Sequence, residues 1–287
     1  MACIRLGGLV AVVAVALSAP AMADTGERLT APSAFPVIAA ENAFARRHQE
    51  ISVKETFLEY SAPDGIALTK EGVKNIKEFI GTWPDSADAG FIKWWPTMAG
   101  IAQSGDLGFT TGPASYGGDK AYSEYFTVWK KQPDGNWKWL LDQGTKPRKL
   151  ASETTTDVFT VPVSKVKRMK AKKAWAMLQD EDKALSVLPV ADAKAAAHYA
   201  PEVRLLGYQA PAVNGIEAAR TVLAGRAADL KTEHQGGGVS AAGDLGYTYG
   251  TANWSDDKGT AKQGFYLRVW QRRENGWLIL VENVSPF

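Results

Sequence analysis

Gly105-Asp106-Leu107-Gly108-Phe109-Thr110-Thr111-Gly112 returns near the C-terminus as Gly243-Asp244-Leu245-Gly246-Tyr247-Thr248-Tyr249-Gly250, with six of the eight positions identical. Val128-Trp129 is matched by Val269-Trp270. The turn Gln132-Pro133-Asp134-Gly135-Asn136-Trp137 is matched by Arg273-Glu274-Asn275-Gly276-Trp277. One domain is therefore written twice, at an offset of about 140 residues, and such a repeat fixes the architecture before any other reading.

Working outward from the repeat, the chain divides into a first unit at 34–148, a linker at 149–172 and a second unit at 173–287. The first unit opens with helical spacing: Val37, Ala40, Phe44 and Ala45 on one face, Glu41, Arg46, Arg47 and Glu50 on the other. Val53–Tyr60 reads as a second helix. Ile66–Leu68 reads as a short strand, and Thr69 is the expected N-cap of a third helix with Val73, Ile76, Phe79 and Ile80 on its apolar face. Strands are expected over 91–104, 107–115, 122–132 and 137–145, each rich in aromatic and β-branched residues and bounded by Gly, Asp or Pro. The second unit repeats the order: helices at 174–188, 191–199 and 216–223, a short strand at 203–206, then strands at 231–242, 245–254, 263–273 and 277–284. The predicted fold class is α+β: two cone-shaped barrels in tandem, each with helices packed on a curved antiparallel sheet. Val128 and Trp129 are neighbours on a strand and so point to opposite faces, which implies that both faces are buried, one by helices and one by the other unit. A fragment ending near residue 150 is then expected to expose Trp129 and Tyr125.

The first residues carry a different message. Arg5 precedes an apolar run, Leu6 to Leu17, and Ala21-Met22-Ala23 is an A-x-A cleavage site. Residues 1–23 are read as a signal peptide cleaved after Ala23, giving an exported, periplasmic or secreted protein. Cys3 is the single cysteine and lies in that segment, so no disulfide is expected. With 33 basic and 31 acidic residues, no charge bias points to nucleic acid. No long apolar run follows the signal, so no membrane span is expected in the mature chain. The basic run Lys165, Lys167, Arg168, Lys170, Lys172 and Lys173 is read as a solvated connector or helix start, because no Gly-rich loop or interleaved aromatics accompany it.

The stretches Ser104-Gly105-Asp106-Leu107-Gly108-Phe109-Thr110-Thr111-Gly112-Pro113 and 125–142, with Ala40–Arg47 and Phe57–Leu68 in the helical half, resemble the nuclear transport factor 2-like superfamily, in particular its SnoaL-like and ketosteroid-isomerase-like branch. The resemblance covers about 35–148 of the first unit and the second unit from about 231 onward. It implies an apolar pocket between helices and sheet, and pairing of cones through their sheets, here as an internal pseudo-dimer within a monomeric chain. It places the isomerase base near Thr69 and Gly207 and the oxyanion acid near Thr127 and Arg268. None of these residues is an acid, so steroid isomerisation is not expected.

The candidate catalytic groups are Asp142, Tyr125 and Asp64; Asp142 corresponds to Glu282, and Asp64 to Glu202. Pocket candidates are Tyr60, Trp95, Tyr116, Tyr125, Tyr199, His234, Tyr266 and Glu282. The competing reading makes Asp142 and Glu282 solvated strand ends and His234 a surface or edge histidine, with Glu233 facing the other side of its strand. His48, His198 and His234 are scattered, and neither His-x-His nor His-Glu-x-x-His occurs, so neither a metal nor another cofactor is expected. Gly236-Gly237-Gly238 reads as a bend or bulge. Three functions are compatible with these residues: binding of a small apolar or amphipathic molecule in a cone pocket, an isomerase, lyase or hydrolase using general acid/base residues, and a structural module whose pockets are filled.

Overall fold

The computed structural model describes residues 32–287 apart from 86–87, 89, 150–154, 189–192 and 207–211. The signal segment 1–23, its cleavage site and Gly207 lie outside the described residues. Among those described, no helix is long and apolar enough to cross a membrane.

In the first half, α1 (Phe35–His48) has Pro36 in its first turn, where a missing N–H leaves no bond unmade. Its buried residues are Val37, Glu41, Phe44 and His48, at i, i+4, i+7 and i+11. This is one helical stripe, so Glu41 belongs to the core-facing side rather than to the polar face read from the sequence. Next, α2 (Val53–Tyr60) begins at a reciprocal capping box between Ser52 and Glu55. Then β1 (Ile66–Thr69) and β2 (Gly72–Asn75) form a hairpin. The helix expected from Thr69 therefore starts later, as α3 (Ile76–Gly81), capped by the Asn75 side chain. Thr69 Oγ1 donates instead to the Gly72 carbonyl at 2.8 Å, and Gly72 supplies the φ of +114° that closes the turn.

The strand expected over 91–104 is two strands, β3 (Ile92–Trp94) and β4 (Met98–Ile101), because Pro96 between them has no N–H for a ladder. Then follow β5 (Leu107–Tyr116), β6 (Ala121–Lys131), β7 (Trp137–Gly144) and β8 (Phe159–Thr160). In the second half, α4 (Ala171–Ser186) buries Ala174, Leu178, Asp182 and Leu185, again with an acid inside the apolar stripe. The expected second helix shrinks to α5 (Ala193–Ala196), and Tyr199 already belongs to β9 (Tyr199–Leu206). The rest is β10 (Val213–Asn214), α6 (Ile216–Ala224), β11 (Lys231–Val239), β12 (Leu245–Ser255), β13 (Ala261–Arg273) and β14 (Gly276–Pro286).

The first sheet runs β7-β6-β5-β4-β8, with β3 also on β5; the second runs β10-β9-β14-β13-β12-β11. Both are mixed rather than purely antiparallel, since β8 lies parallel to β4 and β9 parallel to β14. Neither parallel pair is joined by a hairpin, so no turn fixes its direction. Through the β4–β8 pairing the linker adds a strand to the first sheet. Farther along, Gln103 Nε2 donates to the Ser164 and Val166 carbonyls, and Ser164 Oγ donates to Arg272 O at 2.6 Å. The basic side chains of the run itself are exposed. In β11 the register shifts between His234 and Gly236, which is the bulge the glycines suggested.

Strand alternation sends side chains to a helix-covered core in each half, and to a core shared between the halves. Tyr125 and Trp129 pack with Phe44, Ile80, Trp94 and Trp139 under the helices of the first half. Phe109, Phe126, Val128 and Leu141 face the other way and join Phe265, Leu267, Val269 and Val281 of the second half in one cluster. The repeated turns dock there reciprocally. The Gln103 amide donates to Asp244 Oδ2 at 2.9 Å, and the Ala241 amide donates to Asp106 Oδ2 at 3.0 Å. Arg204 Nη2 meets Glu124 Oε2 at 2.7 Å, with both side chains buried. So the Gly-Asp-Leu-Gly motif that announces the repeat also locks the halves together. A fragment ending near residue 150 exposes Phe109, Phe126, Val128 and Leu141, not Trp129 and Tyr125. It is expected to self-associate in sedimentation velocity; a stable soluble monomer would contradict this packing.

Candidate functional site

The same ladder positions carry the site in both units. In the first, Thr110 of β5, Thr127 of β6 and Asp142 of β7 stand side by side, with Glu41 of α1 above them. In the second, Thr248, Arg268 and Glu282 stand side by side, with Asp182 of α4 above. Tyr125 and Tyr266 lie two residues before the central position, and Trp129 and Trp270 two residues after it.

In the second unit this space is full. Arg268 donates from Nη1 to Asp182 Oδ1 and from Nε to Glu282 Oε2, both at 2.7 Å, and its guanidinium sits 4.2 Å from the Tyr266 ring centre. Arg226 forms a second ion pair with Glu282, and the Tyr199 hydroxyl lies 3.1 Å from both oxygens of that carboxylate. Asp182 also accepts from Thr248 Oγ1 at 3.0 Å and Tyr266 Oη at 2.5 Å, and it pairs with His234 Nδ1 at 2.7 Å. Burial alone would raise the Asp182 pKa, but Arg268 and these hydrogen bonds outweigh it and hold the carboxyl down at about 2. Glu282 is likewise lowered, burial being outweighed by Arg226 and Arg268. The remaining cavity is about 30 Å³.

These contacts correct two of the competing readings. Glu282 is fully buried, not a solvated strand end. His234 is an edge histidine, since β11 ends its sheet, but not a surface one: the bulge that follows it leaves its ring 7% exposed against Asp182, while Glu233 is exposed.

In the first unit the central position is Thr127, where the second unit has a guanidinium. Thr127 Oγ1 donates to Asp142 Oδ2 at 2.6 Å. Glu41 accepts from Trp94 Nε1 at 2.6 Å, from Trp129 Nε1 at 3.0 Å and from Thr110 Oγ1. Burial raises the Glu41 pKa despite these donors. Burial and the nearby Glu41 charge push Asp142 up to about 7. Beside Asp142 lies a cavity of about 240 Å³ lined by Phe44, Phe57, Phe79, Trp94, Tyr116, Tyr125 and Trp139. Among the described residues, no lysine, arginine or histidine lines it. The Tyr125 hydroxyl and Trp139 Nε1 are buried there without a hydrogen-bond partner among the described residues. Such groups destabilise a fold by about 1–3 kcal/mol each, and the second unit carries them too, at Arg226 Nε and His234 Nε2.

The remaining candidates lie elsewhere. Asp64 is in an exposed ion pair with Lys130 at 2.7 Å. Trp95 Nε1 donates to the Thr155 carbonyl, away from the cavity. Tyr60 packs on Phe44 behind it, with the Lys138 ammonium 5.5 Å from its ring centre. A larger open cleft of about 640 Å³ is bordered by Lys70, Lys146, Arg148 and Lys262, but its cations lie toward solvent and no buried carboxyl or hydroxyl of the repeated site reaches it. Sequence reasoning missed Glu41, Asp182, Thr110 and Arg226. The signal that could have found the two acids was a carboxylate inside the apolar stripe of the first helix of each unit.

No protein-family model matches the sequence, and no curated protein matches it. Solved structures similar to parts of the chain include an NTF2-like protein of unknown function from Pseudomonas putida KT2440, 17% identical, covering 41% of this chain and 89% of its own, TM-score 0.33. Another is an NTF2-like protein with a cystatin-like fold from Novosphingobium aromaticivorans, 11% identical, covering 40% of this chain and 83% of its own, TM-score 0.33. A third is a provisionally assigned dehydratase of the NTF2-like family from Streptomyces avermitilis, 14% identical, covering 41% of this chain and 99% of its own, TM-score 0.34. By its own topology, helices packed on a mixed sheet and written twice, this chain has the tandem α+β fold expected from its sequence.

Proposed function

We propose that the first unit binds a small, largely apolar organic molecule and that the second unit is its structural partner. The observation that carries this is the contrast between equivalent positions. An aromatic cavity of about 240 Å³ beside Asp142 stands in one unit, and the equivalent space is filled by the Arg268 ion network, leaving about 30 Å³, in the other. Native mass spectrometry of the protein from its producing cell is expected to reveal added mass that is released on denaturation. Ala114→Phe, which fills the cavity from β5, should abolish it. Bare protein of unchanged mass in both samples would count against the reading.

A second reading is catalytic. A carboxyl titrating near neutrality is suited to general acid/base work, and Asp142 borders the cavity. It is not hydrogen-bonded to Tyr125, so the geometry favours binding over a preformed catalytic pair. If the retained molecule is converted by the protein, Asp142→Asn should remove turnover while leaving affinity within a few-fold.

The reciprocal contacts of the repeated turns support an internal pseudo-dimer and a monomeric chain. We place the protein outside the cytoplasm on the strength of Arg5, the apolar run to Leu17 and Ala21-Met22-Ala23. The intact mass of the exported protein is then expected to start at Asp24; a mass that retains residues 1–23 would contradict export by cleavage.

A further inference from the structure

The two units are an internal experiment on one site. Where the second unit has Arg268, the first has Thr127, at the same ladder position between the same two neighbours. In the second unit a cation sits between two carboxylates and over the face of a tyrosine ring. The first unit keeps both carboxylic acids, Glu41 and Asp142, and the tyrosine, Tyr125. It lacks the cation and has a cavity bordered by Asp142 and Tyr125. The rings of Phe44, Trp94 and Trp139 surround that cavity, and no cation borders it among the described residues. Aromatic faces and a carboxylate without competing water are the chemistry that holds ammonium groups. The Tyr125 ring adds a further aromatic wall beside Asp142.

We propose that the first unit's cavity takes a compact organic cation, its ammonium group seated against Asp142 and the Tyr125 ring where the Arg268 guanidinium sits in the second unit. This rests on the reading of the cavity as a binding site and names the class of its ligand. An anion is disfavoured by the two acids, and a neutral molecule would leave them without a counter-charge. The ionisable groups facing Asp142 are Glu41 from α1, Tyr125 from β6 and Tyr116 from β5. These three are neutral or acidic, and the Arg204 cation felt at Tyr125 is already paired with Glu124 at 2.7 Å, so the positive charge beside Asp142 falls to the ligand. Because the Asp142 carboxyl has to ionise to serve it, cation binding should strengthen as pH rises from 6 to 8.

The test compares two probes of one shape, benzyltrimethylammonium and its neutral carbon isostere neopentylbenzene, by isothermal titration and tryptophan fluorescence on the full chain. Neither probe titrates, so any pH dependence belongs to the protein. The cation is expected to bind at least tenfold more tightly at pH 8. Its affinity should fall severalfold by pH 6, while that of the isostere stays level. Asp142→Asn should erase the preference and keep isostere binding. Thr127→Arg should abolish binding of both probes by placing a guanidinium in the cavity. Equal affinity for the two probes, or a preference that survives Asp142→Asn, overturns the cation inference and leaves the pocket standing. Binding of neither probe overturns the pocket and the inference together.

Discussion

Replacing Arg268 by threonine, the residue found at the matching position of the first unit, is expected to destabilise the protein by about 3–5 kcal/mol, the range for removing one partner of a buried ion pair. For a chain of this size the melting temperature should fall on the order of 10 °C. The loss does not measure how much the pairs stabilise the fold. It measures what happens to Asp182 and Glu282 once the guanidinium is gone. Both carboxylates are fully buried and ionised. Glu282 keeps Arg226, but Asp182 keeps only His234 and neutral donors. The pH dependence checks the mechanism. In the intact protein the Asp182 carboxyl titrates at about 2, below its ordinary 3.8. Its stabilising contribution is therefore present above about pH 4 and is lost as pH falls toward 2. The variant lacks that contribution, so the difference between the two proteins should be largest near pH 7 and shrink below pH 4. Adding Asp182→Asn to Arg268→Thr should recover part of the loss, because the stranded charge is then removed. Urea denaturation at pH 7 and pH 3.5 reads all of this; a loss under about 1 kcal/mol at pH 7 would show that these charges are not stranded.

The architecture was legible because it rests on local patterns. The repeat, the strand periodicity from 107 to 144 and the Asn275-Gly276 turn each act over a few residues, and each holds in the structure. The errors came where a long-range partner decides. Thr69 has the chemistry of an N-cap, but Asn75 captures the helix start once Gly72 closes a hairpin. Glu41 looks polar beside Arg46 and Arg47. Its place in the stripe with Val37 and Phe44 becomes meaningful only when two indole N–H groups, 53 and 88 residues away, turn toward it. The site was half visible. Asp142, Tyr125, Tyr199, His234, Tyr266 and Glu282 were singled out, and the repeat itself pairs Thr127 with Arg268. What no strand says is that a helix carboxylate, Glu41 or Asp182, stands over that position in each unit.

Asp142→Asn is expected to make the protein more stable, not less, above neutral pH. The physics is the mirror of that at Arg268. Burial and the Glu41 charge raise the Asp142 carboxyl from its ordinary 3.8 to about 7. A raised pKa means that the folded state binds the proton more tightly than the unfolded chain does. The favourable contribution is then fully present below pH 3.8 and is lost as pH rises through 7. Above that pH, ionised Asp142 destabilises the fold by at most about 4 kcal/mol, taking about 1.36 kcal/mol for each factor of ten. Side-chain relaxation and the partial exposure of Asp142 to the cavity reduce this, so a gain of about 2–3 kcal/mol at pH 8 is expected for the asparagine variant. Near pH 4 the carboxylic acid is neutral, as the amide is, and the amide oxygen of the Asp142→Asn variant can still accept from Thr127 Oγ1. The two proteins should therefore be about equally stable there. Denaturation curves from pH 4 to pH 8 decide the matter: wild type should lose stability relative to the variant as pH rises through 7. Equal stability across the range would show that Asp142 is not held in an apolar, acid-flanked place. A fold that keeps a destabilising carboxylate at the wall of an aromatic cavity, while its sister unit neutralises the equivalent one with Arg226 and Arg268, gives up at one site stability that it secures at the other.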